Sequence, residues 1–354
     1  MQLDSDTAAA VREGFQFDVE RLERWLGAHV EDFRGPLQVR QFAGGESNPT
    51  YLLVAPSGRY VLRRKPPGQI LASAHAVDRE YRVMTALGTH TDVPVPRTRA
   101  LCTDESVIGT WFYVMDCVDG IVFRNSMLRE AAHADRRRYF DAMNDGIARL
   151  HSADYAAIGL ADYGKPNDYV ARQIARWTRQ YRSDEAAGRV DALERLIEWL
   201  PQHVPPDEPP SIVHGDYRAE NMIFHPTEPR VLAILDWELS TIGNPLADFG
   251  YHVMTYRLAP MSVTGLRGLD LARENIPTEE EYVAAYCART RREGIAALDY
   301  YIAFNIFRLA AILHGIRGRV LRGTAVGPDA RQRAAEVEPV AEQGWAAAEL
   351  AMRR

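Results

Sequence analysis

The sequence is poor in cysteine, and its hydrophobic residues form no long run. Three cysteines, Cys102, Cys117 and Cys287, are spread over 354 residues, which excludes a CxxC metal pair and argues against a disulfide framework. No stretch approaches the roughly 20 apolar residues that span a membrane, and the N-terminal residues lack the apolar core of a signal peptide. These absences lead us to expect a protein of the reducing cytoplasm.

Positive charge is not in excess either. A net charge of −6 provides no basic field, so nucleic acid is not an expected partner, and the lack of a long apolar run means that a membrane is not expected either. The composition, 46% hydrophobic and 25% charged, is ordinary for a globular protein. Because 354 residues exceed what one hydrophobic core usually holds, we expect two lobes: a β-rich N-lobe over residues 1–118 and a mostly helical C-lobe over residues 119–354.

The order of local patterns indicates an α+β fold. Asp18 is typical of a helix N-cap, and Val19, Leu22 and Leu26 follow at helical spacing. Alternating or apolar runs then predict strands at 37–42, 50–54, 60–64, 98–102 and 111–116, with a helix at 75–87. Beyond a hinge near residues 116–120, helical patterns cover 134–151, 167–182, 190–200, 278–292 and 300–321, with short strands near 213, 222–224 and 231–235.

The segment from His214 to Asn221 carries the strongest chemical signal. It has the pattern His214-x-Asp216-x-x-x-x-Asn221, and the apolar run 231–235 just beyond it ends at Asp236. Phosphoryl transfer needs a carboxylate to accept the proton of the attacking hydroxyl, and an Asn and a second Asp to hold Mg²⁺. We therefore predict Asp216 as the catalytic base and Asn221 and Asp236 as Mg²⁺ ligands, since oxygen ligands suit that ion.

Two further residues are predicted to support this segment. His214 would hold the loop by hydrogen bonding, and Asp248, 12 residues after Asp236, could brace it. Each residue alone has a purely structural alternative, because His-Gly-Asp also favours a turn and an Asp after a strand often caps a helix. The prediction therefore depends on the ordered set rather than on any single member.

The segments Ile212–Asn221 and Ile234–Glu238 together resemble the aminoglycoside phosphotransferase-like kinases. The likeness covers about residues 41–321 and implies a bilobal protein-kinase-like fold that uses ATP and Mg²⁺. Within that superfamily the chain is most similar to the phosphotransferase domain associated with acyl-CoA dehydrogenases. The stretches that carry this closer resemblance are 44–51, 61–68 and 236–245.

The N-lobe offers candidates for nucleotide binding. The turn Gly44-Gly45-Glu46-Ser47-Asn48 between two strands would let backbone amides approach phosphates, with Gly45, Ser47 and Asn48 as contacts. A Gly-Gly hairpin is by itself more often only a hairpin. This turn gains weight because it precedes Asp216 in the chain, as the phosphate-binding turn of a kinase precedes its catalytic aspartate.

A cation on the third strand should pair the phosphates, held by an acid on the next helix. The acid is predicted to be Glu80. Strand parity puts Arg63 on the face of Val61 and turns Arg64 away. Lys65 shares that parity but abuts Pro66, so Arg63 is the predicted cation and Lys65 the alternative, although related kinases usually have a lysine there. At the hinge, Asp116 and Val118 would contact adenine, mainly through backbone groups.

The acceptor is predicted to be a small molecule, because only 11 residues separate Asp236 from Asp248 and leave no room for a peptide-binding activation segment. Residues 301–328 contain no Asp or Glu but several arginines. Arg308 and Arg317 are therefore predicted to bind an anionic substrate, the alternative being a core helix with a solvated basic end. The resemblance implies a hydroxyacyl substrate such as a 4-hydroxyacyl-CoA and a functional link to an acyl-CoA dehydrogenase.

Two other functions stay open at this stage. An aminoglycoside-modifying kinase shares the catalytic segment, but a polycationic antibiotic requires an acidic pocket, which the arginines disfavour. A nucleotide-binding pseudokinase that acts as a scaffold is disfavoured by the intact Asp216, Asn221 and Asp236, and slightly favoured by Arg63. A protein kinase is disfavoured by the missing activation segment.

Overall fold

The computed structural model describes residues 8–42, 48–66, 76–261, 265–325, 327 and 329–353. The chain divides into two compact units. Unit 1 comprises residues 1–124, 154–163 and 219–240, and unit 2 comprises residues 125–153, 164–218 and 241–354. The segment that follows the Asp216 loop therefore belongs to unit 1, whereas the loop itself belongs to unit 2.

The strands are β1 (Gln38–Gln41), β2 (Thr50–Ala55), β3 (Gly58–Arg64), β4 (Thr98–Cys102), β5 (Phe112–Asp116), β6 (Ser211–Val213), β7 (Met222–Phe224), β8 (Val231–Ile234) and β9 (Thr241–Gly243). The helices are α1 (Val19–His29), α2 (Val77–His90), α3 (Arg136–Ser152), α4 (Tyr169–Ser183), α5 (Asp191–Trp199), α6 (Pro245–Val253), α7 (Glu279–Thr290), α8 (Leu298–Leu321), α9 (Ala330–Ala335) and α10 (Val337–Met352). A β-rich part followed by a mostly helical part is the order that the sequence predicts.

Unit 1 is built on a five-stranded antiparallel sheet in the order β1-β2-β3-β5-β4. Strand β3 is central, and its Arg63 pairs with Thr50 of β2 and Tyr113 of β5. Residues two apart on a strand share a face, so Val61 and Arg63 lie on one side of the sheet. A small hairpin of β7 and β8 belongs to the same unit.

Helix α1 seals one face of this sheet. Asp18 caps it as predicted, accepting a hydrogen bond of 2.9 Å from the Arg21 amide. Leu22 and Leu26, one turn apart, are fully buried in a core shared with Leu53 and Leu62 of the sheet. Burying one leucine side chain stabilises a fold by about 1.5–3 kcal/mol. This packing fixes β3, the strand that carries Arg63.

Unit 2 is organised around α8, which is buried along most of its 24 residues. Helix α6 approaches it closely at Gly250, where a Cβ atom would lie 2.8 Å from the Tyr301 Cβ. A larger residue at this position would push the two helices apart. Because α6 also carries Asp248, this close contact sets the position of the predicted brace. In the part of the chain that the structure describes, no helix is long and apolar enough to cross a membrane.

Candidate active site

In unit 2, a tight loop follows β6 and is held by one carboxylate. Asp248, in the first turn of α6, accepts a hydrogen bond of 2.7 Å from the His214 amide and one of 2.9 Å from the Gly215 amide. His151 Nε2 lies 3.3 Å from the same carboxylate. Gly215 has φ of 83°, a left-handed conformation that glycine adopts at little cost. The hydrogen bonds to Asp248 and the left-handed conformation of Gly215 therefore fix the backbone that leads into Asp216.

The Asp248 carboxyl group is ionised in this setting. Burial alone would raise its pKa, but the hydrogen bond and charge of His151, the charge of His214 and the hydrogen bond from the His214 amide outweigh that effect and hold the pKa below its ordinary value. An ionised carboxylate accepts from both amides at once. The structure thus places Asp248 where the sequence suggested a brace.

Asp216 is surrounded by donors and cations. Its own amide donates to His214 Nδ1 at 3.2 Å, and Tyr251 donates its hydroxyl to Asp216 Oδ1 at 2.5 Å. Arg218 Nε lies 3.5 Å from Oδ2. Burial would raise the pKa of Asp216, but Arg218, the Tyr251 hydrogen bond and Arg308 together hold it below its ordinary value. The side chain is consequently an ionised carboxylate, the form that a general base requires.

The two arginines predicted to bind substrate lie in different surroundings. Arg308 is buried and donates from Nη2 to the Gly215 carbonyl oxygen at 2.6 Å. Its guanidinium also lies 4.9 Å from the centroid of the Tyr251 ring. Arg317 is instead paired with Glu338 of α10, with 2.6 Å between Nη1 and Oε1. The structure brings Arg308, and not Arg317, to the Asp216 loop.

In unit 1, Arg63 is the centre of a buried ion cluster. Its Nε lies 2.9 Å from Glu80 Oε2, and its Nη2 lies 2.8 Å from Asp236 Oδ1 and 3.2 Å from Glu238 Oε2. Burial lowers the pKa of the guanidinium, but Glu80 and Asp236 more than compensate and raise it above its ordinary value. One cation is thus shared by three carboxylates from α2 and from the segment after β8.

Glu80 is held rigidly within that cluster. Asn48 donates from Nδ2 to Glu80 Oε1 at 2.8 Å, and Tyr113 donates its hydroxyl to Oε2 at 3.0 Å. Burial raises the pKa of Glu80 to about 7, against the lowering effect of Arg63. The Asn48 side chain therefore contacts the acid of the cluster. Gly45 and Ser47, predicted beside it, lie outside the described residues.

The structure distinguishes the two candidate cations, Arg63 in β3 and Lys65 just after it. Lys65 Nζ lies 4.0 Å from the centroid of the Trp111 ring, a cation–π contact. Arg63 contacts Glu80, as the predicted cation should. Arg63 therefore has the acidic partner that the sequence analysis predicted for the cation.

A small cleft next to β3 and β5 contains the predicted hinge residues. It is lined by Val61, Pro96, Met115, Asp116, Cys117, Val118, Ile223 and Leu235, all of unit 1. The Asp116 carboxylate is engaged by Arg99, with 2.5 Å between Nε and Oδ1. A flat base in this cleft would contact the apolar side chains and the backbone of the hinge rather than the Asp116 carboxylate.

Asn221 and Asp236, the predicted metal ligands, both lie in unit 1. The Leu235 amide donates to the Asn221 carbonyl oxygen at 2.8 Å, which ties the residue before Asp236 to Asn221. Among the described residues, no group of three or more His, Cys, Asp or Glu side chains could hold a metal ion by itself. A carboxylate and an amide nevertheless fit Mg²⁺, which usually binds one or two carboxylates and completes its shell with phosphates and water.

Sequence reasoning assigned no role to several residues of these clusters, of which Tyr251 and Glu238 are examples. Tyr251 follows Asp248 by three positions on α6, a spacing that puts both on one helix face, but a tyrosine in an apolar helix looks like a core residue. Glu238 is part of the motif that indicated the family, but no sequence pattern assigns it a partner. Both contacts depend on residues far away in the chain.

Comparison with known proteins agrees with this geometry. The model of the APH phosphotransferase enzyme family matches residues 38–297. The chain is 42% identical over 342 residues to acyl-CoA dehydrogenase family member 10 of Mus musculus, covering 95% of this chain and 31% of that protein. The chain spans at most 45% of the length of these curated relatives, which are therefore more than twice as long.

Solved structures agree as well. A protein of Ralstonia eutropha JMP134 classed with the aminoglycoside phosphotransferases is 50% identical, with a TM-score of 0.86 over 94% of this chain and 99% of that one. A spectinomycin phosphotransferase, solved with ADP and spectinomycin, has a TM-score of 0.61 at 11% identity over 94% of this chain and 98% of its own, which shows the shared fold. The predicted protein-kinase-like fold is confirmed. The chain belongs to the phosphotransferase enzyme family and is homologous to the phosphotransferase-like region of the acyl-CoA dehydrogenase family members.

Proposed function

We propose that this chain is an ATP- and Mg²⁺-dependent kinase that phosphorylates a hydroxyl group of a small molecule, with Asp216 as the base. The observation that carries the proposal is the state of Asp216. It is an ionised carboxylate on a loop whose backbone is fixed by Asp248. Positioning and electrostatics supply most of the catalysis in phosphoryl transfer, and a rigid base meets the first requirement.

The ion cluster of unit 1 supports ATP as the donor. An arginine paired with an acid on the following helix can orient phosphate oxygens, because a guanidinium presents several donors in one plane. Arg63 has this relation to Glu80. Val61 and Val118 line a cleft of unit 1, and apolar side chains of this kind would contact the faces of a purine base. The spectinomycin phosphotransferase solved with ADP gives further support, since it shares this fold.

Asn221 and Asp236 would hold Mg²⁺ beside the phosphates. The ion would offset the charge that develops on the transferred group. In the reaction, the acceptor hydroxyl gives its proton to Asp216 as its oxygen bonds to the γ-phosphorus. The bond between that phosphorus and the bridging oxygen breaks, and ADP leaves with the electron pair.

The acceptor is proposed to be an anionic hydroxy compound, in particular a hydroxyacyl-CoA. Two arginines, Arg218 and Arg308, are among the groups that lower the pKa of Asp216, and their charges would attract an anion and repel a polycationic aminoglycoside. Similarity to acyl-CoA dehydrogenase family members points to acyl substrates. Phosphorylation would turn the hydroxyl into a leaving group for a later elimination, which is the link to a dehydrogenase that we propose.

A substrate panel tests this proposal. ATP consumption is measured with 4-hydroxyacyl-CoAs, the free 4-hydroxy acids and kanamycin, and ³¹P NMR identifies the phosphorylated product. We expect turnover with at least one hydroxyacyl compound, and a loss of about 10³-fold or more in Asp216→Asn. Turnover with kanamycin alone would overturn the proposed acceptor. Equal rates for wild type and Asp216→Asn would overturn the proposed role of Asp216 and favour a nucleotide-binding module.

A further inference from the structure

Tyr251 makes a contact that the phosphotransferase motifs do not explain. It lies on α6, one turn after Asp248, and is 8% exposed. Its hydroxyl donates to Asp216 Oδ1 at 2.5 Å, within the range of short O–H···O⁻ hydrogen bonds to ionised acceptors. Asp248 fixes the backbone of the loop, but a backbone contact does not determine the rotamer of the Asp216 side chain. Tyr251 contacts that side chain directly.

The Tyr251 ring is itself held by a residue that contacts the same loop. The Arg308 guanidinium lies 4.9 Å from the ring centroid and donates from Nη2 to the Gly215 carbonyl oxygen at 2.6 Å. The Arg308 guanidinium also lies 5.7 Å from the centroid of the Trp177 ring. Tyr251 and the loop are thus fixed with respect to one another by a third, buried side chain.

We propose that Tyr251 is a positioning residue that holds the carboxylate of Asp216 in a single orientation and keeps it ionised for the acceptor hydroxyl. The inference rests on the proposed function, because it assigns Tyr251 a role through the base. Tyr251 does not take the proton itself. Burial and the charge of Asp216 raise the pKa of its phenol above the ordinary value, so the hydroxyl stays a donor throughout the reaction.

Other groups also act on Asp216, and the test must separate them from Tyr251. Arg218 and His214 approach from the loop itself, and Arg308 approaches from α8. Tyr251→Phe removes only the hydroxyl, so the ring that packs against Arg308 is retained. The three other groups are unchanged in that variant.

A matched control is available in Tyr282. It is also buried in unit 2, and its hydroxyl lies 2.6 Å from His252 Nε2 rather than near Asp216. Tyr282→Phe therefore removes one buried hydroxyl and one short hydrogen bond without touching the base. A general effect of losing a buried hydroxyl would be seen in both variants.

The direct readout is the titration of Asp216, followed by NMR of protein labelled with ¹³C at aspartate carboxyl groups. Asp216→Asn identifies the signal. We expect the pKa of Asp216 to rise by about one unit in Tyr251→Phe, because a hydrogen bond to the charged form is lost, and to stay unchanged in Tyr282→Phe. An unchanged pKa in Tyr251→Phe, or equal shifts in both variants, contradicts the inference.

Kinetics give the second readout, with the acceptor found in the substrate panel. We expect kcat to fall about 10-fold in Tyr251→Phe with an acceptor KM within a factor of about two, because the lost interaction acts on the base and not on binding. If Asp216→Asn is inactive while Tyr251→Phe has the wild-type kcat, the role of Tyr251 is refuted but the proposed function stands. If Asp216→Asn is fully active, the proposed function fails as well.

Replacement of Tyr251 by 3-fluorotyrosine covers the case in which Tyr251→Phe does not fold. The substituted phenol keeps its hydroxyl and is a stronger hydrogen-bond donor. We expect a lower pKa for Asp216 in that protein. A pKa that is unchanged or raised would contradict a hydrogen bond that stabilises the carboxylate.

Discussion

Removal of Arg63 tests the ion cluster of unit 1 most directly. In Arg63→Met the side chain keeps most of its apolar volume, but Glu80, which is 1% exposed, loses the cation that lies 2.9 Å away. Breaking a buried pair by removing one partner costs about 3–5 kcal/mol, because the remaining charge stays buried. We expect a decrease of that size in the free energy of unfolding at pH 8, measured by urea titration.

The size of this loss should depend on pH. Burial raises the pKa of Glu80 to about 7 in the wild type, from about 4.3 in an unfolded chain. A carboxyl group whose pKa is raised by folding stabilises the native state at low pH, and that contribution is lost as the pH rises through the folded value. In Arg63→Met the pKa of Glu80 in the folded state should be higher still, because the cation that lowers it is gone. The loss in Arg63→Met should therefore grow by about 1 kcal/mol between pH 6 and pH 8.

Arg64→Met is the matched control. Arg64 is equally buried but donates to the carbonyl oxygens of Phe15 at 3.0 Å and Ile108 at 3.4 Å. These partners do not titrate between pH 6 and pH 8, so this variant should lose the same stability at both values. The reasoning is refuted if Arg63→Met is as stable as the wild type at pH 8, or if its loss is as independent of pH as that of Arg64→Met.

Three further predictions concern unit 2. Arg308→Met should lower kcat about 10-fold or more because the Gly215 carbonyl loses its donor, whereas Arg317→Met should leave acceptor kinetics unchanged; equal effects would contradict these placements. Asp248→Asn should reduce the free energy of unfolding by about 1–3 kcal/mol, since its amide nitrogen would face one of two backbone donors; urea titration checks this. Burial lowers the pKa of His252 to about 4, so below about pH 6.5 the unfolded state binds a proton that the folded state does not. The free energy of unfolding should therefore fall by up to about 3 kcal/mol as the pH drops from 6.5 to 4. In His252→Gln this decline should be smaller, as measured by urea titrations at several pH values.

Much of the fold followed from periodicity in the sequence. The strands of the large sheet and the helix capped by Asp18 were predicted because alternation and helical spacing are local signals. The motif from His214 to Asn221 likewise identified the family, since the reaction needs those residue types in that order. Strand parity set Arg64 aside, and the position of Lys65 next to Pro66 made Arg63 the first choice; Arg63 is the residue that contacts Glu80.

Contacts between distant residues could not be predicted in the same way. The sequence shows several arginines after Tyr301, but not that Arg317 pairs with Glu338 or that Arg322 pairs with Asp184. These ion pairs form between helices whose relative placement depends on packing. For the same reason the basic stretch looked like one anion-binding surface, whereas the structure assigns acidic partners to two of its arginines.

The charge of the ion cluster around Arg63 also bears on which form of the nucleotide can bind. Three carboxylates and one guanidinium leave an excess of negative charge whenever the acids are ionised. A nucleotide without its metal would bring further negative charge to the same place and be repelled. If Mg²⁺ and ATP bind here as we propose, the acids of this unit would favour the magnesium complex over the free nucleotide, and free ATP in excess of magnesium should not inhibit the protein by direct competition.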